Sequence, residues 1–247
     1  MKDVFGLFDI GKIKEEIYNI LFSALKDFSL TEHNVDVYAI VVGCESEQSG
    51  TITLHYQNNL TFKKTAEKYI AEWDYKEAEI YGFRALQYHV GDFESIDAPL
   101  IYTFEEGQTI KSEEVADFFE VYRLVLIGES YTELGIVPKL TKLQSVSNGI
   151  SFDVIRPSLP YIVSELVVPN DKKDEYYSVQ AAYMDILHDI VFYCTEKLKK
   201  NIDFINKTDD FVIFAQDFAN VSAENIEKFA RKTIDDELFA KLKESKT

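Results

Sequence analysis

The chain has 247 residues, of which 46% are hydrophobic and 14% aromatic; this suffices for one large or two small packed domains and excludes general disorder. Its 43 acidic and 26 basic residues give a net charge of −17, spread as −10 over residues 1–110 (9 basic, 19 acidic) and −7 over residues 111–247 (17 basic, 24 acidic). Such a surface repels phosphate backbones, which disfavours nucleic acid as a partner, and it attracts basic proteins.

Only Arg84, Arg123, Arg156 and Arg231 are arginines, so a bidentate phosphate clamp has little material. No apolar run approaches the roughly 20 residues that span a bilayer. The N-terminus, MKDVFGLFDIGKIKEE, lacks the pattern of a cleaved leader. A cytoplasmic protein with both thiols, Cys44 and Cys194, reduced is the expectation.

In chain order, Ile13, Ile17, Ile20, Leu21, Leu25 and Phe28 recur at helical spacing and predict an amphipathic helix over about residues 12–28. Residues 34–58 predict a hairpin. Its first strand is rich in β-branched residues and apolar on both faces over 39–42, which places it centrally in a sheet. The return strand carries Ile52, Leu54 and Tyr56 on one face and Thr51, Thr53 and His55 on the other, so it is half exposed. Thr61 is placed as the cap of a helix over 62–73, with Ala66, Tyr69, Ile70 and Trp73 inward. Residues 80–90 read as either extended or a short helix, and 91–108 mainly as loop.

Ser112 is expected to cap a helix running to about 127, with Val115, Phe118, Phe119, Tyr122, Val125 and Leu126 as its apolar side. Patterning over 131–146 is weak. Asn148–Gly149 is a turn signal, followed by a strand to Pro157 and an extended piece at 161–168. The longest helix spans about 176–200, then a buried strand at 211–215, then one last helix from 221 with a fraying tail at 244–247.

The chemistry is sparse. The four histidines, His33, His55, His89 and His188, show no mutual metal-ligand spacing, and no HExxH, GxSxG, Walker or GxGxxG motif occurs. Cys44, at a strand end, reads as a small core residue rather than a nucleophile. Glu113, Asp117 and Glu120 share a helix stripe but lack the second carboxylate–histidine stripe of a metal pair, and read as a solvated face. No cofactor and no metal is expected.

The segment most suggestive of function is 72–79, where the only tryptophan, Trp73, is flanked by Glu72, Asp74, Glu77 and Glu79 and by Tyr75. Aromatic anchors ringed by acids suit a basic protein partner. Large aromatics are mostly buried, so Trp73 itself is expected in the core, closing its helix. Trp73, Asp74, Tyr75, Glu77 and Glu79 are the candidate interface.

The order of elements resembles a known pattern. A leading amphipathic helix precedes the VYAIVVG strand and a polar hairpin, and a short helix ends in a tryptophan followed by an acid. Far downstream, a long helix leads to DFVIFAQDF and the closing ENIEKFARKTID. This resembles the bacterial DUF4303-type proteins, over roughly residues 12–73 and 176–236. The resemblance implies an acidic α+β protein of the kind found beside polymorphic toxins, where such proteins act as immunity proteins; it carries over no catalytic residue.

The expectation is a single α+β domain over residues 1–247, with a mainly antiparallel β-sheet and helices packed against it, and with the organisation of residues 74–170 left open. Its leading function is non-enzymatic protein binding, such as immunity against a basic toxin. One alternative is an enzyme whose site assembles from distant segments, with His89 and the acids of 92–97 foremost. Another is a small-ligand sensor, which requires an apolar cavity.

Overall fold

The computed structural model describes residues 1–47, 50–81, 86–96, 113–127, 141–147, 150–156, 162–167, 170–219 and 223–244. Its main elements are α1 (Ile10–Ser29), β1 (Val37–Cys44), β2 (Ile52–Asn58), α2 (Asn59–Trp73), α3 (Glu77–Ile80), β3 (Glu94–Ile96), α4 (Glu113–Ile127), β4 (Thr141–Ser147), β5 (Ile150–Arg156), β6 (Ile162–Val167), α5 (Lys173–Lys199), β7 (Lys207–Asp217), α6 (Ala223–Thr233) and α7 (Asp236–Glu244). The fold is α+β. The chain divides into two compact units: Met1–Ile17, Glu45–Thr51 and Pro99–Ile190 form one, and Tyr18–Cys44, Ile52–Ala98 and Val191–Thr247 form the other.

The second unit is built on a four-stranded sheet of order β3-β2-β1-β7. The hairpin is antiparallel, from Cys44↔Ile52 to Val37↔Asn58, and β2–β3 is antiparallel as well. The β1–β7 pair is parallel, so the sheet is mixed, with two of its three pairings antiparallel, in keeping with the mainly antiparallel sheet expected. A parallel neighbour requires a crossover connection, and the long stretch of chain between β1 and β7 supplies it. Strand β1 is buried along its whole length, as its two-faced apolar run predicts, while β2 alternates between buried and half-buried over 52–55 and is buried over 56–58. Each aliphatic side chain buried in β1 contributes on the order of 2 kcal/mol relative to exposure.

On one face of this sheet Tyr38, Ala39, Val41, Val212 and Phe214 meet Phe62 and Ala66 of α2, Ala230 of α6 and Phe239 of α7. On the other, Tyr56 meets Phe28 of α1, with ring centroids 4.6 Å apart. Gly43 is required by a close approach: a Cβ there would lie 2.1 Å from the Phe218 ring. The expected single C-terminal helix is two helices. The Asp235 carboxylate accepts from the Leu238 N–H at 2.9 Å and caps a fresh start at α7. Strand β3 falls where a loop was expected; three residues are too short to show alternation.

The first unit packs Phe8, α4 and the residues of α5 up to Ile190. Phe118 lies edge-on to Phe8 and stacks on Tyr183, and Tyr122 meets Tyr183. The Tyr183 hydroxyl donates to Asp3 at 2.7 Å, and burial pushes its phenol well above the ordinary range. Tyr176 and Gln180 donate to the Val125 and Leu126 carbonyls, satisfying the C-terminal end of α4. Gly50 has φ +68°, and a Cβ there would lie 2.6 Å from Tyr122. This unit also holds a three-stranded antiparallel sheet, β4-β5-β6, whose β4 the weak patterning did not predict. Asp117 is buried, against the solvated face expected for its stripe. The expected cap at Ser112, the Asn148–Gly149 turn and the tail beyond Glu244 lie outside the described residues.

Candidate functional site

The site is built at the C-terminal end of α2, in the second unit. The helix starts one turn earlier than its pattern predicts, because Asn58 is the cap. The Asn58 side chain accepts from the Thr61 N–H at 2.8 Å and the Asn58 N–H donates to the Thr61 hydroxyl at 3.3 Å. Thr61, expected as the cap, is instead the third residue of the helix and closes that capping box. Phe62 and Ala66 are buried as the inward face. Asp74 ends the helix in the left-handed region, φ 55° and ψ 35°, with its N–H returning to the Tyr69 carbonyl.

This termination leaves Trp73 outside the core. It is 64% exposed, and Ile70 is 51% exposed, although both were expected inward. The reason is positional. Tyr69, one turn earlier, packs against the core cluster, and Trp73 is left to stack on Tyr69, with ring centroids 5.9 Å apart and planes at 22°. Tyr75 meets the same ring edge-on at 5.1 Å. Tyr69 is therefore the centre of a three-ring platform. Sequence reasoning assigned it to the core; its spacing of four from Trp73 was the signal for the platform.

Asp92 holds the platform from the other side. The Tyr69 hydroxyl donates to Asp92 Oδ1 at 2.9 Å, and this bond, then burial, raises the Tyr69 phenol above its ordinary value. Asp92 Oδ2 lies 2.9 Å from Nδ1 of His89. A carboxylate at that distance accepts from an N–H on Nδ1. The Asp92 carbonyl accepts from Gln57 of β2 at 3.1 Å, which anchors the turn to the sheet.

Of the sequence candidates, the structure joins Trp73 and Tyr75 through Tyr69. Asp74 and Glu77 are exposed nearby in sequence, and Glu77 lies in the first turn of α3. Glu79 is also exposed but is partly committed, since its carboxylate accepts from the Lys76 N–H at 2.9 Å. The pairing of His89 with Asp92 joins the residues of the enzyme alternative, while Asp97 lies outside the described residues.

The remaining titratable candidates sit differently. His55 points from β2 toward Phe218, edge-on at 5.3 Å, with Nε2 at 3.0 Å from the Thr53 hydroxyl. Burial pushes its pKa down to about 4, so it is a neutral, partly buried ring at pH 7. Cys44 and Cys194 are both buried. No helix among the described residues is long and apolar enough to cross a membrane.

Comparison with family models, with curated proteins and with solved structures gives no match to this chain. The functional reading therefore rests on the geometry and on residue chemistry.

Proposed function

We propose that this chain is a cytoplasmic, non-enzymatic protein-binding module whose partner is a basic protein, such as a toxin that it neutralises as an immunity protein. The observation that carries the reading is Trp73, 64% exposed at the end of α2 and backed by Tyr69 and Tyr75. Exposed tryptophan is uncommon, while tryptophan and tyrosine are the residues on which binding energy concentrates. A ring held by stacking and by the Tyr69–Asp92 hydrogen bond loses little freedom on binding. Glu72, Asp74 and Glu77 beside it, on a chain of net charge −17, steer a basic partner and disfavour nucleic acid. The DUF4303-type resemblance supports the same reading.

The test is capture of partners from the source cell's lysate at low and at high salt, identified by mass spectrometry. A single basic protein, lost at high salt, is expected. With that partner in hand, Asp74→Lys, Glu77→Lys and Glu79→Lys together slow association and flatten its salt dependence; unchanged kinetics remove this surface from the proposal.

The enzyme alternative has one observation in its favour, the hydrogen-bonded His89–Asp92 pair. It predicts hydrolysis of a chromogenic ester or phosphoester that His89→Ala abolishes. Turnover that survives His89→Ala sinks it.

A further inference from the structure

The second unit carries a groove of about 890 Å³ whose lining the sequence did not bring together. The end of α1, the loop over residues 31–36, the start of α2 and β3 enclose it. Its floor is apolar and buried: Phe28, Tyr56 and Ile96. Its rim carries Val35, 50% exposed, and Leu60, 64% exposed. Asp27, Glu32, Asp36 and Glu94 line it, against Lys64 and His33.

The groove is preformed. Asn34 pins the loop by donating to the Ser29 carbonyl at 3.0 Å and accepting from the Asn206 N–H at 2.9 Å. The His33 carbonyl accepts from the Asn58 side chain at 3.0 Å. A rigid loop presents its acids and Val35 without an ordering cost on binding.

The groove and the aromatic platform share helix α2. Thr61 and Thr65 line the groove, and Tyr69 and Trp73 follow at the same spacing of four along α2. The same short segment serves both ends: Asp92 holds Tyr69, and Glu94 and Ser95 line the groove. Gln57 ties them together, hydrogen-bonding Thr61 and the Asp92 carbonyl.

Building on the binding function proposed above, we infer that this stripe and groove form one track for an extended basic segment of the partner, with an apolar side chain between its cations. At about 1.5 Å of rise per residue, the stripe from Thr61 to Trp73 is about 18 Å long, which is five or six residues of extended chain at about 3.3 Å each. The excess of carboxylates selects the cations. Leu60 and Val35 select the apolar side chain, which a polyamine lacks; the occupant is a peptide segment.

The test uses the full chain and fluorescence anisotropy with labelled synthetic peptides of about six residues. An Arg/Leu alternating peptide is expected to bind, an Arg/Ser peptide to bind more weakly and a Glu/Leu peptide not at all. Glu94→Lys, Glu32→Lys and Leu60→Ser each weaken the Arg/Leu peptide by about tenfold, while Asp209→Lys, on the exposed start of β7, does not. These side chains are exposed, and unchanged thermal unfolding of each variant confirms an intact fold. Equal binding of Arg/Leu and Arg/Ser, full competition by spermine, an equal loss in Asp209→Lys, or no binding at all overturns the track. With the captured partner, groove variants that bind normally while Trp73→Ser does not overturn the track and leave the proposed function standing. Normal binding by the groove variants and by Trp73→Ser together overturns both.

Discussion

Two tyrosine–aspartate hydrogen bonds of nearly equal length, one in each unit, are used in opposite ways. In the first unit Tyr183 donates to Asp3 at 2.7 Å, and Asp3 also accepts from the Phe5 and Phe8 N–H groups at 3.2 and 2.8 Å. Tyr183 and Asp3 are both buried, and the carboxylate is shared with two backbone N–H groups. In the second unit Tyr69 donates to Asp92 at 2.9 Å, but the next group along, His89, is 59% exposed, and Trp73 lies open on the tyrosine ring. The same chemical pair closes a core in one place and holds up a surface in the other. What separates them is which groups remain available once the pair is made.

The largest effects belong to the closed pair. Asp3→Ala leaves two N–H groups and a buried hydroxyl without their acceptor and is expected to cost about 3 kcal/mol in urea unfolding, against about 1 kcal/mol for Asp92→Ala at the open pair. Equal losses would remove the distinction.

His55 lies between the extremes, and its burial is read by pH. Its folded pKa is lowered to about 4, whereas the unfolded chain binds the proton below about 6.5. Protonation therefore favours the unfolded state. The contribution is full above about pH 6.5 and is lost as the pH falls towards 4, by up to about 2 kcal/mol between pH 7 and pH 5. His55→Gln is expected to flatten that part of the stability–pH curve; an unchanged slope shows that the ring is hydrated.

A smaller effect sharpens the open pair. The Asp92 hydrogen bond raises the Tyr69 phenol, so Asp92→Ala moves one tyrosine in an ultraviolet titration back toward its ordinary value. The smallest effect on stability is expected at Trp73, where Trp73→Ala stays within about 0.5 kcal/mol of the parent protein. Because Trp73 is the only tryptophan, the chain's fluorescence should be that of a solvated indole and open to quenching by acrylamide. Buried, unquenched emission would move Trp73 into the core and the platform out of the functional argument.

Much of the fold was legible because burial follows local periodicity. The run 39–42 is apolar on both faces and lies in the central strand β1, and Ile13, Ile17, Leu21, Leu25 and Phe28 became the buried stripe of α1. Val115, Phe118, Phe119, Tyr122 and Val125 did the same in α4. The failures fall where periodicity carries no information. Strand β3 is held by its partner β2 rather than by its own pattern, and the break between α6 and α7 depends on one capping carboxylate. The site was legible in part: the segment 72–79 holds Trp73 and Tyr75, while Tyr69 was placed in the core and the groove residues were not brought together.

The sequence by itself determined that this is an acidic α+β protein with a central apolar hairpin, because composition and spacing are properties of single elements. It also marked Trp73 among carboxylates. Only the tertiary structure decided that β7 joins β1 in parallel, that Trp73 stands outside the core, and that Asp92 meets both Tyr69 and His89. Each of these depends on where one element ends relative to another. Exposure at a helix end is set by how far the helix runs past the residues it covers, and no local pattern contains that distance.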